Sequence, residues 1–418
     1  MKKLIGTVAV TALLASAAFA ELSISGGALQ LWSPVKYNGG DVTTTAETPW
    51  GAARSASIGF TWVSEDEKAG SNFAFVYDQF TDKASPDGNK LIWVKPWDFL
   101  KLTIGHWDGI NDIGTVNTAS WDWVRPNNWL GNLYAENEHT GAMIELFPVD
   151  GLTVRFGLPF GDDDTGKGYL SYGMFEALHA EVEYTITDLL GIKLAWLGGG
   201  DRHTSLSPTL ARLPYKYDSS TFYNIGEIDV LLQLLAVENL QLDVGARINL
   251  LNAGKLKDKY EATKNTVNSV VLDEKGNFVG GIASSLIGLK AGYAINDKFT
   301  VKADFAVQTY KKTGDYKQKP DFAFGVGVGV GLTDSLTLDA DFRALLTGEA
   351  DDDGNKFSNQ DTDPTFSFLV GLNYACSSNA SIGIGFQGKT NGGKLGNEMD
   401  DRGDNFGFAV PVRVNVSF

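Results

Sequence analysis

The sequence predicts an all-β protein whose strands close into a single transmembrane antiparallel barrel of about eighteen strands, with sixteen as the alternative count. Three observations predict this fold. Apolar and polar residues alternate in segment after segment, the connections between segments alternate between short and long, and the chain opens with the layout of an export signal. A lipid bilayer permits this β architecture because a closed barrel leaves no unpaired strand edge.

The first twenty residues have the layout of a secretory signal peptide. Lys2 and Lys3 are followed by an apolar run and then by small residues that end at Ala20. The apolar run is too short and wrongly flanked for a membrane-spanning helix. We therefore predict a cleaved signal peptide over 1–20 and a single outer-membrane barrel domain over 21–418.

The alternation that indicates strands is clearest in the second half of the chain. Apolar residues occupy every second position from Phe299 to Val307 and again from Leu336 to Ala344. A period of two places one set of side chains on each face of a strand. If the apolar face meets lipid, the polar face lines a water-filled lumen. We predict these pore-lining charges: Arg155, Lys193, Arg247, Lys302, Arg343, Glu145, Glu181, Asp243, Asp304, Asp339 and Asp341.

Two interpretations of these charges remain open. Charges of both signs across a low-dielectric wall would set up a transverse field that favours hydrated, polar solutes. Alternatively, each charge only pairs with a neighbouring strand and keeps the lumen wet.

The connections between the predicted strands sort by length. Short ones, such as those at Asp150 and Asp297, alternate with long ones rich in Gly and Asp. Bacterial barrels place tight periplasmic turns at one rim and long extracellular loops at the other. Aromatic residues near the short turns, including Trp93 and Trp97, are predicted to form an interfacial girdle. The predicted long loops are 33–49, 107–138, 199–221, 250–280, 348–364 and 388–404.

The last segment, FGFAVPVRVNVSF, ends on the aromatic Phe418 after apolar residues at every second position. It resembles the C-terminal assembly signal of outer-membrane β-barrels, so Val414, Val416 and Phe418 are the residues that the barrel insertion machinery would read. The whole mature chain resembles a general bacterial porin in length and layout. The segment around Trp93 and Pro96 further resembles a turn of spirochaete outer-membrane proteins of porin type.

This resemblance implies an integral, multi-pass protein in the outer membrane of a diderm bacterium, surrounded by outer-membrane lipid. Porins are often trimers, so the resemblance implies a homotrimer as the assembly. It also implies small hydrophilic solutes as the molecules that the barrel takes up.

The resemblance singles out the long loop 107–138. General porins fold their third outward loop into the barrel, and the equivalent segment here carries Trp121, Asp122, Trp123 and Trp129. Tryptophans and carboxylates at a constriction can stack on sugar faces and hydrogen-bond sugar hydroxyls, as in sugar-selective barrels. Alternatively, the three rings anchor the loop against the inner wall, because a long ordered loop needs apolar contacts of its own.

Composition and motifs argue against other classes of protein. The chain has 51 acidic against 35 basic residues, which argues against nucleic acid as a partner. A single cysteine, Cys376, excludes an intramolecular disulfide framework. The stretch GDDDTGKG has the spacing of a phosphate-binding loop up to Lys167, but Gly168 stands where Ser or Thr is required.

The four histidines are scattered and no G-x-S-x-G motif occurs, so we predict no enzymatic activity, no cofactor and no metal. Three functions remain. The first is an outer-membrane porin, a passive diffusion channel for small hydrophilic solutes and ions. The second is a saccharide-selective channel, and the third is a surface adhesin or antigen on a barrel platform.

Overall fold

The structure is a computed structural model that describes residues 20–38, 42–48, 51–52, 54–78, 83–107, 139–159, 178–197, 227–250, 283–310, 317–346, 348, 350–351, 364–390 and 406–418. The predicted signal peptide lies outside these residues except for Ala20, which begins the first strand. The barrel strands are β1 Ala20–Asn38, β2 Arg54–Ser64, β3 Ala69–Asp78, β4 Lys83–Trp97, β5 Leu100–Trp107, β6 His139–Val149, β7 Leu152–Pro159, β8 His179–Ile186, β9 Leu190–Leu197, β10 Glu227–Leu234, β11 Leu240–Asn249, β12 Ala283–Asn296, β13 Phe299–Tyr310, β14 Asp321–Gly331, β15 Leu336–Leu346, β16 Thr365–Ser377, β17 Ala380–Thr390 and β18 Phe406–Ser417.

Within the described ranges, each of these eighteen strands pairs antiparallel with its neighbours in sequence, and β18 pairs with β1. The sheet therefore closes into a barrel, and the predicted count of eighteen strands is confirmed. Closure satisfies the backbone groups that an open edge would leave unpaired, which is the condition for a β structure in lipid.

The sequence prediction of a loop over 33–49 is wrong for its first part. β1 continues to Asn38, and the short strand Val42–Thr45 pairs back onto it. The pairing of β1 with β18 shifts register around Pro34, because proline has no N–H to donate to the ladder. This bulge interrupts the alternation, so the continuation of the strand is hidden in the sequence.

The side chains of the strands divide between an outer wall and an inner wall. Large apolar side chains on the outer wall are exposed, for example Ile104 at 58% and Ile384 at 51%. Charged side chains on the inner wall are buried, for example Glu181 at 2% and Arg247 at 1%. A water-soluble protein has the opposite arrangement, so the outer wall is suited to an apolar medium.

Eight short connections join the strands at one end of the barrel, which we call the short-turn rim. They lie at 65–68, 98–99, 150–151, 187–189, 235–239, 297–298, 332–335 and 378–379. Gly151 has a φ of 78°, and a methyl group there would collide with the carbonyl oxygen of Thr185. The tight turn between β6 and β7 therefore requires glycine. The connections at the opposite end lie largely outside the described residues.

Two neighbouring turns of the short-turn rim are linked by an ion pair. Lys68 Nζ donates to Asp98 Oδ1, and the backbone N–H of Lys95 donates to the carbonyl oxygen of Lys68 at 2.7 Å. The hydrogen bond from Lys68 lowers the pKa of the Asp98 carboxyl below its ordinary value. Because Asp98 is fully exposed, this pair orients the turns and contributes little to stability.

The predicted aromatic girdle is wrong for Trp93. Trp97 and Phe99 stack at the short-turn rim with ring centroids 5.8 Å apart, and both are exposed. The Trp93 ring instead lies on the inner wall, where Lys95 Nζ and Lys101 Nζ are 5.5 and 5.7 Å from its centroid. Closeness to a turn does not determine on which face of a strand a side chain lies. Because the neighbours of Trp93 in sequence are exposed on the outer wall, alternation places Trp93 on the inner wall.

The last residue of the chain contributes to closure of the barrel. Phe418 N donates to Gly26 O at 2.9 Å, and Gly26 N donates to Phe418 O at 3.1 Å. The Phe418 ring covers Gly26, where an added Cβ would lie 2.7 Å from the ring atom Cζ. The terminal ring thus packs on β1 at a position where only glycine leaves enough space for it.

Deleting Phe418 is expected to reduce the amount of folded barrel in the outer membrane, because both the predicted assembly signal and the contact with Gly26 are lost. The heat-modifiable shift on a denaturing gel measures the folded fraction. Phe418→Tyr is the matched control, since it keeps an aromatic ring on Gly26 and should assemble normally. Full assembly of the deletion variant would remove any role of the terminal ring.

Candidate functional site

Charged residues on the inner wall form a row that crosses five neighbouring strands. In the pairing register, Lys101 on β5 faces Glu145 on β6, which faces Arg155 on β7. Arg155 in turn faces Glu181 on β8. Facing residues on one side of an antiparallel pair have Cβ atoms about 5 Å apart, so opposite charges there attract directly. We call this row the charge ladder; it comprises Lys101, Glu145, Arg155, Glu181, Glu183 and Lys193.

Arg155 is the centre of the charge ladder. Its Nε donates to Glu145 Oε1 at 3.2 Å, and its Nη1 donates to Glu183 Oε2 at 2.9 Å and also to Glu181 Oε1. Lys101 Nζ completes the row by an ion pair of 2.7 Å with Glu145 Oε2. One guanidinium therefore joins carboxylates on the strands to either side of it, which arginine's fork of donors allows.

A histidine on β8 lies beside the charge ladder. His179 Nε2 lies 3.1 Å from Glu181 Oε2, and both side chains are buried. Lys193 Nζ is 3.9 Å from Glu181 Oε1 and also 3.9 Å from Glu183 Oε2. His179 and Glu181 lie two residues apart on β8, so both point to the inner wall.

A second pair of charges lies on β10 and β11. Arg247 Nε donates to Asp229 Oδ1 at 3.0 Å, and Arg247 Nη2 donates to Asp229 Oδ2 at 2.8 Å. Nearby on β11, Asp243 accepts from Gln241 Nε2 at 2.9 Å and lies 4.0 Å from Lys290 Nζ. The bidentate geometry of the first pair is the strong form of a charge-assisted hydrogen bond.

A third group spans β13 to β15. Arg343 Nη1 donates to Asp304 Oδ2 at 3.4 Å, and Arg343 Nε donates to Asp341 Oδ1 at 3.0 Å. The Arg343–Asp304 pair crosses over Gly325 of β14, where an added methyl group would collide with Asp304 Oδ1. Glycine at this position therefore leaves room for an ion pair between strands that are not neighbours.

The remaining residues predicted to line or constrict the pore fall into two groups. Lys302 and Asp339 lie on the inner wall, facing Gly327 and Gly329 of β14 in the register. The residues predicted for the constriction lie outside the described residues: Trp121, Asp122, Trp123 and Trp129.

Several inner-wall polar residues escaped the sequence prediction. Asp321 accepts from the backbone N–H of Gly348 at 2.8 Å and from the hydroxyl of Tyr310, which ties together chain segments at the end opposite the short turns. Gln387 and Lys389 are buried on β17. Both residues lie at every second position after the inward glycines of β17, so the alternation of the sequence was sufficient to predict that they face the inner wall.

Within the described ranges, no three or more His, Cys, Asp and Glu side chains are grouped in a way that could hold a metal ion. No helix in the described part of the chain is long and apolar enough to cross a membrane.

A closed antiparallel barrel that exposes apolar side chains outward and turns charged ones inward is the architecture of an integral membrane β-barrel. Residues 283–413, from β12 into β18, match the family model described as "Outer membrane protein beta-barrel domain". The chain is therefore an integral outer-membrane protein of a Gram-negative bacterium, as the sequence predicted. No curated protein sequence matches the chain.

The fold is similar to three solved structures, each with 10% sequence identity. OprD from Pseudomonas aeruginosa aligns with a TM-score of 0.52 over 95% of this chain and 93% of its own. The outer membrane channel DcaP of Acinetobacter baumannii aligns with a TM-score of 0.51 over 96% and 98%, respectively. OpdO of Pseudomonas aeruginosa aligns with a TM-score of 0.50 over 96% and 97%. At this identity the likeness establishes the shared fold.

Proposed function

We propose that this protein is a porin, a passive diffusion channel for small hydrophilic solutes and ions. The observation that supports the proposal is the polar lining of the inner wall, on which charges of both signs continue from β5 to β15. A polar interior holds water and hydrated solutes, and a barrel of 16 to 18 strands is wide enough for an aqueous channel. DcaP, which has a similar fold, is an outer membrane channel, and this agrees with the proposal.

We further propose that the passage is narrow at the level of the buried charges. Wall residues of a wide, open lumen would be accessible to water, whereas Arg247, Glu181 and Gln387 are almost completely buried. The loop 107–138, whose residues 108–138 lie outside the described residues, is the segment that we propose as the constriction. A narrow passage would admit small hydrated solutes and exclude large ones.

Three finer assignments are part of the proposal. The insertion machinery would read Val414, Val416 and Phe418, the barrel would assemble as a homotrimer, and the hairpin around Trp93 would place the chain near spirochaete porins. The absence of enzymatic activity also remains a prediction.

The test of the porin proposal is a single-channel recording. The mature chain from Glu21 is refolded, inserted into a planar bilayer and recorded with and without maltooligosaccharides. Stepwise ohmic currents are the expected result, and current block by the sugars would favour the saccharide-selective alternative. A folded barrel that passes no current would contradict the proposal and favour a surface platform.

Replacing Trp121, Trp123 and Trp129 together by Ala is expected to raise the single-channel conductance and to weaken sugar block. The physical reason is that three indole rings would leave the proposed constriction, taking their stacking surfaces with them. Trp196→Ala, on the outer wall of β9, is the matched control and should leave both quantities unchanged. Identical conductance in the triple variant and the control would place the three rings away from the solute pathway.

A further inference from the structure

A long apolar groove crosses the outer wall of the barrel. It extends over six strands from β11 to β16 and has a volume of about 630 Å³. Neighbouring strands are about 4.8 Å apart, so the groove is about 24 Å long. The side chains that shape it are Tyr293, Val301, Ala303, Val328, Ala340 and Phe342.

The groove exists because small side chains on successive strands meet in register. Ala303 on β13 faces Ala291 on one side and Val326 on the other. Ala340 on β15 faces Val328 in the same way. The ring of Phe342, larger than these neighbours, forms one wall of the groove.

The groove is continuous with the exposed apolar wall that faces lipid. Val326 and Val370, which line it, are about half exposed. Water would find few polar partners in such a groove, and an empty groove would forfeit the dispersion contacts of its lining. Hydrocarbon is the medium around an outer-membrane barrel, so the occupant is hydrocarbon.

The length of the groove fits one acyl chain. The hydrocarbon core of a bilayer is about 30 Å thick, so one leaflet accounts for about 15 Å. A chain of that length lies within the groove of about 24 Å and gains contacts on three sides, whereas a chain on a convex wall gains them on one. Van der Waals packing of this kind is what discriminates between partners inside a membrane.

The position of one end of the groove indicates which membrane leaflet supplies the lipid, and the charges near that end indicate the type of lipid headgroup. Leu240 and Tyr293 line the groove close to the short-turn rim, which faces the periplasm in bacterial barrels. Tyrosine is favoured at the level of lipid headgroups. The adjacent turn carries the exposed residues Asp297 and Lys298, whose opposite charges match an ammonium and a phosphate group.

We propose that the groove binds one zwitterionic phospholipid of the periplasmic leaflet, with an acyl chain between Ala303 and Ala340 and its headgroup at Asp297 and Lys298. This site lies outside the barrel, so it does not depend on the porin proposal. The bound lipid fills a hollow in the wall and remains attached when the surrounding lipid exchanges.

The test is native mass spectrometry of the mature protein transferred from vesicles of phosphatidylethanolamine into detergent. The wild-type barrel is expected to keep one phospholipid under conditions that remove the others. Ala303→Phe fills the groove and should abolish this retention. Ala142→Phe makes the same change on the outer wall of β6, outside the groove, and should keep the lipid. Equal retention in all three proteins, or none in the wild type, would overturn the proposal.

Two further measurements test the headgroup and the competing occupant. Lys298→Gln leaves the groove open and should weaken retention, and vesicles of phosphatidylglycerol should load the site less well than phosphatidylethanolamine. Equal loading by both lipids, together with no effect of Lys298→Gln, would overturn the headgroup assignment. If Ala303→Phe instead separates a multimer that carries no lipid, the groove is a contact between copies of the chain and the lipid proposal is wrong.

Discussion

Replacing Arg247 with Met is expected to cost about 3–5 kcal/mol of unfolding free energy, because it leaves a buried carboxylate without its partner. Asp229 is buried, and its carboxylate accepts two short hydrogen bonds from the guanidinium of Arg247. Methionine has a similar length but no donor, so the carboxylate would lose its compensation while the packing is largely kept. Urea unfolding of the barrel in lipid vesicles, followed by tryptophan fluorescence, measures the loss.

The double variant Asp229→Leu with Arg247→Met is the control. Replacing both members of a buried pair by apolar residues is often neutral or stabilising, so this variant should recover most of the lost stability. A cost below about 1 kcal/mol for Arg247→Met alone is the range of exposed ion pairs. That result would mean that water reaches Asp229, and it would favour a wide lumen over the proposed narrow passage.

Val414→Arg is expected to destabilise the barrel by about 2–4 kcal/mol, because it places a charge in lipid. Val414 is 43% exposed on the outer wall, where it faces Ile382 of β17. It lies four residues before the end of the chain, and four residues of a tilted strand rise about 10 Å. The apolar band of such barrels is about 25 Å tall, so Val414 is close to the middle of the membrane.

The neighbouring residue provides the matched control for this prediction. Asn415 points to the inner wall and faces Ser381 and Leu29. Asn415→Arg introduces the same charge on the polar side of the same strand, so it should cost less than about 1 kcal/mol. Unfolding in vesicles measures both variants. Equal costs would show that the assignment of inner and outer faces is wrong for β18.

The alternation of residue types was sufficient to predict the closed barrel and the face of the charged residues that were singled out on the described strands. Arg155, Glu181 and Arg343 all point inward, as the period of two requires. For Trp93, closeness to a turn predicts the interfacial girdle, whereas alternation with the exposed Ile92 and Val94 predicts the inner wall, where the ring lies. The bulge at Pro34 hid the end of β1 because one irregular residue shifts every later residue to the opposite parity.

The partners of each charge were beyond the sequence. Glu145 and Arg155 are ten residues apart on one hairpin, but Arg155 also contacts Glu183 across a connection whose length says nothing about register. The contact between Arg343 and Asp304 crosses an intervening strand and depends on the glycine at 325. A slip of one residue would turn each of these side chains to the other wall.

The sequence by itself determined that this chain spans a membrane with strands and turns its polar residues inward, because alternation is a local property of the polypeptide. Only the tertiary structure decided which charges pair and where the outer wall is hollow. Ala303 and Ala340 resemble any other outward alanines in the sequence. They form a groove because the register of the consecutive strand pairs from β11 to β16 places them close together on the outer wall, and no local pattern encodes that alignment.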